Sequence, residues 1–142
     1  MRLLLDTNVL SEVTRPRPDA YVLQWLDGLD EDRSFISVVS IAETRRGVAL
    51  MESGRKCDAL AEWLAQDLPQ RFEQRVIPVD QPVATAWGDL MGLAKRSGRG
   101  LSSMDGLIAA TAIAHGLTLA TRNIKDFEGF GIELVDPWTE RP

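Results

Sequence analysis

The chain of 142 residues has one histidine and one cysteine, and each scarcity removes a class of chemistry. A lone Cys57 can form no internal disulfide and no thiolate cluster for zinc or iron-sulfur, and it fits a reducing compartment. A lone His115 leaves no imidazole pair for acid-base catalysis and no second histidine for a helical H-E-x-x-H zinc site. The sequence also lacks G-x-S-x-G and G-x-x-x-x-G-K-[ST], so neither a serine-nucleophile elbow nor a phosphate loop is available. No apolar run approaches the ~20 residues that span a bilayer. The carboxylate of Asp6 cuts the Leu3-Leu4-Leu5 run far short of a signal-peptide core, so a soluble, cytoplasmic, non-membrane protein is expected.

What is present is acid. The chain carries 21 acidic and 16 basic side chains for a net charge of −5, within an ordinary globular balance of 44% hydrophobic and 26% charged residues. A chain of this length fits one domain, and no repeat, low-complexity stretch or long linker divides it, so residues 1–142 are expected to form a single unit. With histidine and cysteine chemistry excluded, catalysis would fall to carboxylates working with a metal.

Strand patterns occur at Arg2 to Leu5, Ser34 to Val38, Arg75 to Val79, Leu117 to Thr121 and Ile132 to Val135. Helical patterns fill the gaps. The first runs from Thr7 or Asn8 to Val13, and Asp19 caps a second that Gly28 closes. Ser40 opens a third reaching Met51. A fourth runs from Cys57 to Leu68, where Pro69 is expected to stop it. Asp80 caps the strongest pattern, with Val83, Ala86, Trp87, Leu90, Met91 and Ala94 on one face. Ser102 opens the last, which ends at His115-Gly116 with His115 expected to act as a cap. Strands alternating with helices of this length predict an α/β protein with a mostly parallel sheet covered on both faces.

In such sheets ligands collect beyond the strand carboxyl ends, near the point where the winding reverses. Asp6 follows the first strand, although Asp6 or Asn8 could equally cap the next helix. Glu43 lies three residues after Ser40, and Asp105 three after Ser102. Both spacings match a capping box, which would make each acid a backbone ligand. Asn123 and Asp126 follow the fourth strand in Thr121-Arg122-Asn123-Ile124-Lys125-Asp126-Phe127, which taken alone is a turn and cap. Converging from separate strand ends, these groups would suit magnesium or manganese, hard ions held by one or two direct carboxylates and several waters.

The segments Leu3-Leu4-Leu5-Asp6-Thr7-Asn8-Val9-Leu10, Ile36-Ser37 through Ile41-Ala42-Glu43, Leu101 to Ala112 and Leu119 to Phe127 resemble the PIN-domain nucleases. The nearest likeness is to VapC-type toxins of bacterial toxin-antitoxin modules, including the plasmid-stability and FitB-like branch, with the motifs in the family's order across the whole chain. The resemblance implies a three-layer α/β/α fold with a five-stranded parallel sheet and a metal-dependent endoribonuclease using Mg2+ or Mn2+. It implies a cognate VapB-like antitoxin that alone contacts operator DNA, an RNA substrate and a homodimer. Asp6, Glu43 and Asp105 then correspond to the metal-binding acids. Asn123 stands where many members have a fourth aspartate, which puts a second metal in doubt, and Asp126 would contribute through water. Thr7, Asn8 and Thr121 match positions that orient ligands or water. Gly106 replaces the alanine more usual after the third acid.

Phosphate attraction is local, acting within about a Debye length, so a negative net charge does not exclude RNA. Arg46, Arg99 and Arg122 flank the acidic segments and are expected to form an RNA-binding rim. Trp25, Trp63, Trp87 and Trp138 fit core or subunit contacts better than base stacking. The Trp63-Leu64 segment suits an antitoxin groove or a dimer face. A non-catalytic PIN-like module that binds RNA or protein is the alternative reading, favoured by Asn123.

Overall fold

Leu3, Leu4 and Leu5 are all buried, as a central strand of a parallel sheet covered on both faces requires. In the computed structural model, which describes residues 1–139, they form β1 (Leu3–Leu5). With β2 (Ser34–Ser37), β3 (Val76–Ile77), β4 (Thr118–Ala120) and β5 (Leu134–Val135) it makes one sheet in the order β3-β2-β1-β4-β5. Every pairing is parallel. The chain winds from β1 outward through β2 to β3, then crosses to the other side of β1 for β4 and β5. The winding therefore reverses between β1 and β4, which opens a crevice beyond their carboxyl ends.

Alternation along β1 sorts the core into two layers. Leu3 and Leu5 pack with Val9 and Leu10 of α1 (Thr7–Glu12), Val22 and Leu26 of α2 (Ala20–Asp27), and Leu68 and Phe72 of α5 (Leu68–Phe72). Leu60 and Ala61 of α4 (Arg55–Glu62) pack against the same cluster. Leu4 and Leu119 meet Leu90 and Ala94 of α6 (Gln81–Arg96), Ile108, Ala109 and Ala112 of α7 (Ser103–His115), and Phe127 of α8 (Ile124–Phe127). The remaining helix, α3 (Val38–Leu50), supplies Val39 to one layer and Val48 to the other. The expected three-layer α/β/α architecture is the one observed. Residues 140–142, included in the expected single domain, lie outside the described residues.

Several boundaries differ from expectation for identifiable reasons. The third helix starts at Val38, not after Ser40, because the buried Ser37 hydroxyl accepts the Val39 N–H at 3.0 Å and caps it first. Pro69 does not end the fourth pattern. A π turn at Trp63–Asp67 sends the Leu68 N–H back to the Trp63 carbonyl, and Pro69 then occupies the first turn of α5, where its missing N–H costs nothing. The strands are shorter than their apolar runs, and β3 stops before Pro78, which cannot donate to a ladder. At the end of α7, Gly116 adopts φ 62° and closes the helix, while the His115 carbonyl accepts from Arg2 at 3.4 Å. The glycine, not the imidazole, is the cap.

The glycine after Asp105 has a steric reason. A Cβ at position 106 would come 2.5 Å from Met91 Sδ and 3.1 Å from Trp87 Nε1, because α6 and α7 pack closely there. Trp87 also donates to the Ser103 carbonyl at 3.2 Å. Trp25, Trp63 and Trp138 pack against the first core layer, so all four tryptophans have structural contacts.

Candidate active site

Asp6 lies one residue beyond β1, caps α1 and is only 4% exposed. One carboxylate oxygen accepts the Thr7 N–H at 2.7 Å and the other accepts the Thr121 hydroxyl at 2.7 Å. Thr121 lies one residue beyond β4, so this hydrogen bond bridges the point where the winding reverses. The Thr121 oxygen in turn accepts the Asn123 N–H at 3.0 Å and the Asn8 side-chain amide at 3.4 Å. With both lone pairs engaged, its single proton is directed onto Asp6. The Asn8 side-chain oxygen Oδ1 accepts the Arg122 N–H at 3.3 Å and ties the β4–α8 loop to α1.

Glu43 approaches from α3. Since Ser37 caps that helix, the Ser40–Glu43 capping box does not form, and the Glu43 carboxylate accepts the Thr7 hydroxyl at 2.6 Å instead. Thr7 is also hydrogen-bonded to the buried Ser40 hydroxyl at 2.9 Å. Ser40 is thus a site residue that sequence reasoning treated only as a cap. The signal was available, because Ser37-Val38-Val39-Ser40 offers two possible caps and only one can serve.

Asp105 is the third residue of α7, and its N–H donates to the Ser102 hydroxyl at 3.1 Å, the cap half of the expected box. Burial pushes its pKa up, the Ser102 hydrogen bond opposes this, and the Asp126 charge adds to the rise. Asp6 is pushed from an ordinary 3.8 to about 6, chiefly by burial. Its bonds from Thr121 and Thr7 pull the other way, while the charges of Asp105 and Glu43 push it further up. The three acids therefore share one electrostatic neighbourhood. Among the described residues the ion pairs are Arg15–Glu12 and Arg71–Glu31, so no cationic side chain neutralises the group.

The donor set is entirely oxygen, acidic and uncompensated, which fits a hard divalent cation. Among the described residues no three His, Cys, Asp or Glu side chains close around one point tightly enough to hold an ion alone. The arrangement suits an ion carried by one or two carboxylates and completed by water and substrate oxygens. Asn123 is exposed at the head of α8 and its side chain makes no capping bond. Asp126 is exposed on the same short helix.

Of the three arginines expected to form a basic rim, two are exposed and one is engaged within the fold. Arg46 is exposed on α3 one turn beyond Glu43, and Arg122 is exposed with its guanidinium 4.9 Å from the Trp138 ring centroid. Arg99 turns inward, because its guanidinium donates to the backbone carbonyls of Lys125, Asp126 and Glu128.

Fold and site together define a three-layer α/β protein with an acidic centre, built around the buried Asp6, at the sheet's reversal point. The model of the PIN domain matches residues 3–131, and the chain belongs to the PIN-domain family. It is 41% identical over 136 residues to Toxin FitB of Neisseria gonorrhoeae, covering 96% of this chain and 98% of that protein. It is 38% identical to VapC ribonuclease Y4jK of Sinorhizobium fredii, covering 96% and 97%. The crystal structure of FitAcB from Neisseria gonorrhoeae superposes with a TM-score of 0.91 at 40% identity, covering 97% of this chain and 99% of that one.

Proposed function

We propose that this protein is a divalent-metal-dependent endoribonuclease acting as the toxin of a type II toxin-antitoxin pair. Its similarity to relatives named as toxin and ribonuclease supports the class. The observation that carries the chemistry is the buried Asp6 carboxylate, held by Thr7 and Thr121 beside Glu43 and Asp105 with no cationic partner among the described residues. Asp6, Glu43 and Asp105 would hold Mg2+ or Mn2+, which when bound offsets their repulsion, polarises a phosphodiester and supplies hydroxide from water.

The chain's own residues do the positioning. Thr121 directs its proton onto one Asp6 oxygen and Thr7 its amide onto the other, so the carboxylate cannot rotate freely. Thr7 and Ser40 hold Glu43 toward the same centre. Exposed Arg46, one turn after Glu43 on α3, and exposed Arg122, after β4, would take RNA phosphates, and exposed Asn123 offers an amide where a fourth acid would sit. Asp126 acts through water.

A VapB-like antitoxin is the partner, and operator DNA is reached only through it. Val13, Met51, Leu60 and Trp63 line an open groove of about 690 Å³ among α1, α3 and α4, with Arg15 and Lys56 at its edge. Trp63 faces that groove, while Leu64 is core. Among the described residues no helix is long and apolar enough to cross a membrane. A cytoplasmic homodimer is the form in which the chain would act.

Asn123 favours one other reading, a module that binds RNA or protein without cutting. The two are separated by incubating the purified, antitoxin-free chain with RNA and Mn2+. Cleavage abolished by chelation and by Asp6→Asn supports the nuclease. Metal-independent cleavage, or full activity in that variant, overturns it.

A further inference from the structure

The Arg99 guanidinium links the turn before α7 to α8 and the segment that follows it. Its base is fixed: Gly98 turns with φ 71°, and the Arg99 N–H donates to the Ala94 carbonyl at 2.8 Å, locking the residue to the end of α6. From there the side chain reaches α8. One arm donates to the Glu128 carbonyl, the other to Lys125 at 3.1 Å and Asp126 at 3.4 Å. The guanidinium carbon stands 4.1 Å from the Phe130 ring centroid. Gly129, at φ 84°, lets the backbone wrap this group, since a Cβ there would come 3.0 Å from the guanidinium.

A helix of four residues has too few internal hydrogen bonds to stand alone, and its last carbonyls lack helical partners. Arg99 supplies those partners with charged donors in a planar fork, at the helix end where a cation is favoured. The other end of α8 is held separately, by the Asn123 N–H on Thr121 and the Arg122 N–H on Asn8. Phe127, its last residue, is fully buried. The turn that carries Arg99 leads within a few residues to Ser102 and Asp105. The same guanidinium therefore ties the approach to Asp105 to the helix bearing Asn123 and Asp126.

We propose that Arg99 is a positioning residue of the acidic centre, holding α8 against the turn before Asp105 so that Asp126 faces Asp105, and is not an RNA phosphate contact. This rests on reading the acidic cluster as a metal centre. Lysine keeps the charge but cannot engage three carbonyls in this fork, so Arg99→Lys separates position from charge.

The test measures two quantities on the full chain, with wild type, Arg99→Lys, Arg99→Ala, Asp126→Asn and the Arg99→Lys/Asp126→Asn double variant. Calorimetry with Mn2+ alone gives metal affinity. RNA binding in chelator at several salt concentrations gives the number of phosphates engaged. For Arg99→Lys and Arg99→Ala we expect an unchanged salt slope. We also expect Mn2+ binding to weaken about tenfold in Arg99→Lys, at the low end of losses from outer contacts of a metal site. The Arg99→Lys effect disappears in the Asp126→Asn background if Arg99 acts through Asp126. A salt slope reduced by about one in Arg99→Ala, as loss of one phosphate contact gives, overturns the proposal. So does unchanged Mn2+ affinity in Arg99→Lys, or an equal further loss in the double variant. If wild type itself binds no Mn2+, the metal-centre reading has failed, and the proposal with it.

Discussion

Replacing Asp6 with asparagine should stabilise the metal-free protein while destroying its site. Raising Asp6 from 3.8 to about 6 means that the charged form is disfavoured in the native state. At about 1.4 kcal/mol for each tenfold change in proton affinity, this is worth about 3 kcal/mol at neutral pH. The sign follows from linkage. The folded value exceeds the unfolded one, so the native state holds the extra proton between pH 3.8 and about 6. The associated stability is complete below that window and lost as pH rises through it. Asparagine escapes this loss but cannot accept from both Thr7 and Thr121, since one of its two side-chain groups is a donor. The forfeited hydrogen bond costs about 1 kcal/mol, leaving Asp6→Asn about 2 kcal/mol more stable in chelator. For a domain of this size that is a rise in Tm of about 5–8 °C. Urea denaturation at fixed protein concentration reads the difference directly, and the gap should widen by about 1.4 kcal/mol from about pH 5 to about pH 7.5. Saturating Mg2+ should narrow it by stabilising wild type alone. An Asp6→Asn protein less stable than wild type at neutral pH, with a gap that does not vary with pH, would refute the reasoning.

Other substitutions probe the surrounding contacts. Thr121→Val removes the hydroxyl that serves Asp6, Asn8 and Asn123 at once, and should cost about 2–3 kcal/mol in urea denaturation by leaving buried polar groups unpaired. Gly106→Ala should destabilise by about 1 kcal/mol, since Met91 must move aside and the Trp87 ring is crowded at 3.1 Å, despite alanine's better helix propensity. Adding Met91→Ala should make the glycine replacement cheaper than it is alone, and strict additivity would contradict the steric account. Arg122→Ala and Arg46→Ala should each weaken RNA binding and lower its salt slope by about one, as measured by fluorescence anisotropy in chelator.

The positions of Asp6, Glu43 and Asp105 were legible in the sequence because each follows an apolar strand or a helix start, and strand ends in a parallel sheet lead to one crevice. Their individual partners were less legible. Ser40 and Ser102 present the same three-residue spacing to an acid, yet only Ser102 caps its helix, because Ser37 lies earlier and is buried at the end of β2. Local pattern cannot rank two serines whose choice depends on where a neighbouring strand stops. Arg99 illustrates a different limit. Its charge and proximity to Asp105 in sequence suggested a phosphate contact, whereas its partners are carbonyls more than 25 residues away. Pro69 shows that a local rule can hold while its consequence changes, for the proline does lack an N–H, and a π turn shifts the register so that none is required.

The most direct test of the acidic centre is a calorimetric titration of the chelator-stripped protein with Mn2+ at neutral pH, comparing wild type with Glu43→Gln and Asp105→Asn. One metal centre shared by Asp6, Glu43 and Asp105 predicts saturable binding by wild type and a loss of about tenfold or more in each variant. No Mn2+ binding by folded wild type at millimolar metal, or equal affinity in all three proteins, would contradict it.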